Sequence, residues 1–97
     1  MTIHDIQQLV CTRYGISHCD LMSRRRGRLQ AVPRQVAMWL SRHTLPHTLP
    51  EIGRAFDRDH TTVIAAIRRV EQRMAANPAM HAMMLAWRDS LIAEVAA

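Results

Sequence analysis

The chain has 97 residues, 48% of them hydrophobic, which predicts one globular domain with a thin core and argues against two domains or a disordered chain. Its 13 basic residues, all arginine, exceed the 8 acidic ones, and the net charge of +5 indicates an anionic partner such as nucleic acid or a membrane surface. No apolar run reaches the ~18 residues of a membrane span and no signal peptide is recognisable, so we expect a cytoplasmic protein with reduced thiols and no membrane partner.

Helical spacing of apolar residues predicts a first helix from Ile3 to Tyr14, which Gly15 ends. A short helical segment is expected around residues 18–22. The following Ser-Arg-Arg-Arg-Gly-Arg sequence, residues 23–28, has no apolar face and is therefore predicted to be a loop.

Pro33 is expected to open the next helix, because a proline at the first helical position loses no hydrogen bond. The residues that this interpretation places along one side of the helix are Val36, Trp39, Leu40 and His43. Pro46 is expected to stop the helix. Arg34 and Gln35 would then lie at a helix N-terminus, where free backbone N–H groups can contact phosphate.

The second half of the chain predicts three more helices. Thr48 and Glu51 form the pattern of a capping box for a short helix that ends near Phe56. Asp59 is suited to cap the next helix, whose apolar face is Val63, Ile67, Val70 and Met74. Asn77-Pro78 breaks that pattern and begins a last helix over residues 78–96, with a buried stripe expected at Met80, Met84, Trp87, Leu91 and Val95.

These elements predict an all-α fold class: one compact domain over residues 1–97, with five to six helices and a helix-turn-helix. In such a unit the second helix enters the major groove of DNA, and its first residues contact base edges. Those residues are Asp59, His60, Thr61 and Thr62. The structural alternative is that these four residues only cap the helix and fill its first turn.

A second signal is the basic segment of residues 24–28, a dense group of the positive charges Arg24, Arg25, Arg26 and Arg28. Their mutual repulsion is relieved by a phosphate backbone or by a narrow minor groove. A solvated loop is the alternative interpretation. Arg54, Arg58, Arg68, Arg69 and Arg73 surround the helix-turn-helix and favour the DNA-binding interpretation.

Three ordered motifs, at residues 32–38, 49–56 and 58–63, resemble the C-terminal DNA-binding domain of the DnaA family of bacterial replication initiators. The resemblance extends over residues 3–72 and is weaker in the final helix. It implies sequence-specific binding to duplex sites called DnaA boxes, linked to initiation or regulation of replication, as a monomer and without a cofactor or small-molecule substrate.

The resemblance also implies roles for individual residues. The Asp59 to Thr62 block would read the major groove, and Arg26 would enter the minor groove. The residues expected near the minor groove or the phosphates are Arg34, Gln35, Arg42, Leu49 and Pro50. With the other arginines of the basic segment and with Arg58 and Arg68, they complete the predicted DNA-binding set.

Two features depart from the family pattern. The family usually has two glycines where this chain has Asp57 alone, so the turn is one residue shorter. We therefore expect the second helix of the helix-turn-helix, the recognition helix, to be slightly rotated. A phosphate-binding loop of the form G-x-x-x-x-G-K-[ST] is also missing. The expectation is a stand-alone homologue, a phage or plasmid product or an excised domain, without ATP hydrolysis.

Other functions are less favoured by the residues. A zinc site would need ligand spacings that only His43-x₃-His47 approaches. A hydrolase built on His60 and Asp59 is disfavoured because adjacent helical residues do not face each other. The serious alternative is a protein-interaction module that engages replication-initiation proteins through the methionines of the last helix, although such a stripe is more often core.

Overall fold

The computed structural model describes residues 1–24 and 28–96, with residues 28–30 as backbone. Within those ranges the chain forms six α-helices, which confirms the all-helical class. Their bounds are α1 (Ile3–Tyr14), α2 (His18–Met22), α3 (Arg28–Thr44), α4 (Leu49–Phe56), α5 (His60–Ala76) and α6 (Pro78–Ala96). Among these described helices, none is both long and apolar enough to cross a membrane.

Local sequence signals set most of the helix ends. Reciprocal capping boxes begin α1, α2 and α4, and the third is the predicted pair of Thr48 and Glu51. Gly15 ends α1 in the left-handed conformation, at φ 67°. The Asn77 side chain accepts a hydrogen bond from the Met80 N–H at 3.1 Å, as expected for the cap of α6.

The central element is α3, which contacts all five other described helices. Its buried side chains meet those of α1, α4 and α5 in one continuous apolar core. The fully buried large residues include Ile6, Val10, Leu21, Val36, Met38, Leu40, Ile52, Phe56, Val63, Val70 and Met84. Burial of this apolar surface is the main force that holds the helix-turn-helix, α4 and α5, against the rest of the domain.

The prediction that Pro33 opens α3 is wrong, because the helix begins at Arg28 and contains Pro33 in its first half. Arg28 is therefore helical and not part of a loop. A proline inside a helix removes one backbone hydrogen bond. Here Pro33 is fully buried and Val32 packs against the core, so apolar burial offsets that loss.

One prediction of burial is also wrong. Val95 is 44% exposed, and every other described residue after Leu91 in α6 is exposed as well. His43, which was predicted to share one side of α3 with Trp39, is exposed, and its ring lies tilted against that of Trp39 at a centroid separation of 4.3 Å. The methionines Met74 and Met84 are buried, and Met80 and Met83 pack against the core, as the favoured core interpretation expects.

Candidate nucleic-acid interface

The turn of the helix-turn-helix spans residues 57–59 and begins with a left-handed residue. Asp57 has φ 54° and ψ 48°. Its N–H donates to the Arg54 carbonyl at 3.2 Å, and the Arg58 N–H donates to the Gly53 carbonyl at 2.8 Å. This pair of hydrogen bonds is the Schellman arrangement, which closes the carboxyl end of α4 and directs the chain into α5.

Gly53 allows the turn to lie directly on α4. A Cβ atom at this position would be 2.5 Å from the Arg58 carbonyl oxygen and 3.4 Å from the His60 nitrogen. Real Cβ atoms do not approach a backbone oxygen so closely, so a larger residue would push the turn outwards. The angle between α4 and the start of α5 therefore depends on the absence of a side chain here.

The amino end of α5 presents the four predicted recognition residues to solvent. Asp59, His60, Thr61 and Thr62 are all exposed, whereas Val63 just after them is fully buried. Asp59 caps the helix, because its Oδ1 atom accepts from the Thr61 N–H at 3.4 Å. Capping and exposure occur together, so the capping role does not remove these side chains from the surface.

Asp59 and His60 do face each other, contrary to the rule applied to their sequence. His60 Nδ1 lies 2.9 Å from Asp59 Oδ1. The rule fails because Asp59 is the N-cap, with extended backbone at φ −64° and ψ 147°, and is not inside the helix. Both side chains are more than half exposed, so the pair stabilises the fold little and remains accessible to a ligand.

The start of the basic segment is tied to this turn through one backbone carbonyl. The Ser23 oxygen accepts hydrogen bonds from Arg34 Nη1 and from Arg58 Nη2, each at 3.0 Å. Arg58 Nη1 also donates to the carbonyl of Phe56 at 3.0 Å. Two guanidinium groups thus join the α2–α3 connection to α3 and to the helix-turn-helix.

Arg24, the next residue, reaches the same turn. Its Nη2 atom lies 2.6 Å from the Asp57 carbonyl oxygen and 3.0 Å from Asp57 Oδ2. Arg24 lines a surface cleft together with Arg54, Asp59 and Thr62. The first arginine of the basic segment and the amino end of α5 therefore lie on one face of the domain.

Positive charge is concentrated on this face. Burial, together with the nearby charge of Arg58, lowers the pKa of Arg34 from its ordinary value. Burial and the charge of Arg24 likewise lower the pKa of Arg58, while Asp57 raises it. Arginine stays protonated through such shifts, so the three guanidinium groups form a cationic cluster that attracts anions.

Arg34 and Gln35 do not lie at a helix N-terminus, as the sequence had suggested. They are the seventh and eighth residues from the start of α3, so their N–H groups belong to the helix interior. Their side chains instead line a cleft between α3 and α5 with Arg58, Thr62 and Arg69. Gln35 Oε1 accepts a hydrogen bond from Arg73 Nη1 at 2.5 Å, which fixes the orientation of its amide.

A further cleft contains three more of the predicted residues. Arg42, Leu49 and Arg68 line it together with His43 and Glu71. Arg42 Nη1 donates to the His47 carbonyl at 3.1 Å. Pro50 is exposed in the first turn of α4.

The predictions for Arg25 and Arg26 lie outside the described residues, as does the one for the side chain of Arg28. In the part of the chain that the structure describes, no group of three or more His, Cys, Asp or Glu side chains is arranged to hold a metal ion. His47, one half of the only approximate zinc spacing, has its Nδ1 atom 3.1 Å from Glu51 Oε2.

Comparison with known proteins identifies the family. The family model described as bacterial dnaA protein helix-turn-helix matches residues 3–70. The chain belongs to this family. It is 48% identical over 81 residues to the chromosomal replication initiator protein DnaA of Caulobacter sp. (strain K31), a match that covers 82% of this chain. It is 47% identical over 92 residues to the protein of the same name from Sphingopyxis alaskensis, covering 94% of this chain.

This DnaA-family chain corresponds to a small part of those relatives, since the two matches cover 17% and 20% of their lengths. A solved structure described as a DNA replication initiation factor superimposes with a TM-score of 0.84 at 31% identity. That superposition covers 95% of this chain and 28% of the solved one. The DnaA-type helical fold is therefore shared over nearly the whole chain.

Sequence reasoning did not foresee the contacts by which three residues position this candidate site. The Ser23 carbonyl oxygen accepts a hydrogen bond from Arg58. Gly53 leaves room for the turn because it has no side chain, and Arg73 donates a hydrogen bond to Gln35. Of these, only Gly53 left a signal in the sequence, as a glycine inside a capped helix. The contacts of Ser23 and Arg73 join residues far apart in the chain, and no local pattern encodes them.

Proposed function

We propose that this DnaA-family domain binds double-stranded DNA sequence-specifically, at sites like DnaA boxes, as part of the initiation or regulation of replication. The observation that carries the proposal is the common face formed by Arg24, Arg58 and the exposed residues 59–62. The amino end of α5 would lie in the major groove, and the basic segment would lie in the adjacent minor groove. The relatives' name, chromosomal replication initiator protein, supports the link to replication.

The side chains at the amino end of α5 have the chemistry for reading base edges. An aspartate accepts a hydrogen bond from cytosine N4, and a threonine methyl packs on the methyl of thymine. His60 supplies a ring nitrogen as donor or acceptor. In this proposal Asp59, His60, Thr61 and Thr62 therefore select the sequence.

Arginines at the edge of this face would hold the phosphate backbone. Arg34 and Arg58 flank the recognition residues, and Arg42 and Arg68 share a more distant cleft with Leu49. Phosphate contacts fix the position of a protein on the duplex but carry little sequence information. Removal of one of them should weaken binding to every duplex alike, in contrast to changes at residues 59–62.

The experiment begins with selection of bound duplexes from a randomised pool, with and without a DnaA-box competitor. The selected duplex and a scrambled duplex then serve as specific and non-specific ligands. His60→Ala is expected to weaken specific binding by about 1–3 kcal/mol and to leave non-specific binding nearly unchanged. His81→Ala, at an exposed histidine of α6, is the matched control and should change neither.

Recovery of no preferred sequence would contradict sequence-specific binding. Weak binding to every duplex at low salt, with tight binding of a replication-initiation protein through α6, would favour the interaction-module alternative instead. A band-shift or mass measurement on the selected duplex should give one chain per site, since one helix-turn-helix reads one asymmetric site. A two-chain complex would contradict the monomer.

A further inference from the structure

The ion pair between Asp57 and Arg24 is not required by the turn in which it lies. Asp57 takes a left-handed conformation, which glycine and asparagine also adopt readily. The turn therefore requires a residue that readily adopts the left-handed conformation, but it does not require a negative charge. The carboxylate instead has a distinct partner, since its Oδ2 atom lies 3.0 Å from Arg24 Nη2.

The same guanidinium nitrogen is engaged twice by one residue. Arg24 Nη2 lies 2.6 Å from the Asp57 carbonyl oxygen as well as near the carboxylate. A carboxylate and a phosphate offer a guanidinium group the same kind of anionic oxygen acceptors. Asp57 therefore occupies donors that a DNA phosphate at this edge of the interface would need.

We propose that Asp57 is an internal substitute for a DNA phosphate: it holds Arg24 in the free protein and must release it when duplex DNA binds. This inference rests on the proposed function and deepens it. Both side chains are largely exposed, at 66% and 76%, so the pair is weak enough for DNA to displace. DNA binding must first break this pair, so Asp57 lowers the affinity for duplex DNA.

The surroundings of the pair support this competition. Arg54 and Arg58 line the same cleft, and so do Asp59 and Thr62 from the amino end of α5. Asp59 already has His60 as a partner at 2.9 Å, while Asp57 pairs with Arg24. Asp57 thus neutralises the first arginine of the basic segment, on the face that would meet the phosphates.

A double-mutant cycle tests the proposal on the intact chain. Asp57→Asn, Arg24→Gln and the double variant are compared with the wild type for binding to one duplex over a range of salt. Asp57→Asn should tighten binding about 2- to 5-fold, the range expected when an exposed ion pair no longer competes. The slope of log K against log salt should change by less than one unit, because Arg24 neutralises the same phosphate in both complexes.

Arg24→Gln should weaken binding, and adding Asp57→Asn to it should have no further effect. Glu94→Gln removes the same charge from a cleft near Met1 and Leu9 and should leave binding unchanged. Circular dichroism checks folding, and Asp57→Gly provides a second variant that suits the left-handed turn. It should tighten binding as Asp57→Asn does.

Two results would overturn the proposal. Weaker binding by Asp57→Asn would mean that Asp57 orients Arg24 for DNA and does not compete with it. Equal tightening in the presence and absence of Arg24 would mean that Asp57 acts by general repulsion. A wild-type chain that binds no duplex at low salt would instead refute the proposed function itself, so the two failures are distinguishable.

Discussion

Arg58 Nη2 and the Ser23 carbonyl oxygen, 35 positions apart in the sequence, are joined by a hydrogen bond of 3.0 Å. Arg34 donates to the same oxygen from α3. The contact fixes the connection after α2 against the turn that precedes α5. It is the reason why the basic segment begins beside the proposed recognition residues.

The first prediction concerns Arg58→Lys, which keeps the charge but loses the planar fork. Lysine cannot reach the carbonyls of Ser23 and Phe56 in the geometry that arginine uses. The unfolding free energy should fall by about 1–2 kcal/mol, as measured by urea denaturation. Arg54→Lys, at an exposed position of α4, should change it by less than about 0.5 kcal/mol. Equal effects of the two variants would contradict a structural role for Arg58.

The second prediction is that Gly53→Ala changes the stability of the protein in the opposite direction to an ordinary helical glycine-to-alanine substitution. Within a helix this change normally stabilises a protein by about 0.5–1 kcal/mol. Here the new Cβ atom would meet the Arg58 carbonyl oxygen at 2.5 Å, so the variant should be destabilised by about 1–3 kcal/mol. Thermal unfolding measures the change, and a raised melting temperature would show that the turn does not lie on α4 as described.

The third prediction is a pH dependence at Glu51. Hydrogen bonds from the Thr48 backbone and from the His47 and Thr48 side chains lower the pKa of Glu51 from 4.5 to about 2. A carboxyl group with a depressed folded-state pKa stabilises the fold above its unfolded pKa, and this contribution is lost as pH falls. The wild type should therefore lose stability between pH 4.5 and 2 more steeply than Glu51→Gln. Parallel curves of melting temperature against pH would contradict this expectation.

The fourth prediction assigns a positioning role to Arg73, which holds the Gln35 amide oxygen. Arg73→Met keeps much of the side-chain bulk and removes the donor. If Gln35 contacts DNA, the variant should weaken duplex binding about 2- to 10-fold, the value of one hydrogen bond. In a Gln35→Ala background the same change should have no effect. A loss that persists there would mean that Arg73 acts on DNA directly.

Much of the fold could be predicted because its signals are local. Thr48 with Glu51, Gly15, and Asn77 with Pro78 each set a helix end within three or four residues. The start of α3 could not be read in this way. A proline within a helix looks like a helix start until the burial of Pro33 and the packing of Val32 against the core are known.

The candidate site likewise has one part that local sequence signals predict and another part that depends on tertiary contacts. The exposure of residues 59–62 follows from helical periodicity, since Val63 begins the apolar face of α5. The pairing of Arg24 with Asp57 and the common acceptor of Arg34 and Arg58 depend on tertiary packing. No sequence pattern specifies which arginine is held by the protein itself and which is left for a partner.

The most direct test of the DNA-binding face is an amide NMR titration with the selected duplex and with a scrambled duplex of equal length. We predict that the amides of residues 59–62 shift strongly with the selected duplex and weakly with the scrambled one. Amides near Ser23 and Arg34 should respond to both, and those in the second half of α6 should respond to neither. Shifts confined to α6, or identical shifts of residues 59–62 with both duplexes, would contradict the proposed recognition.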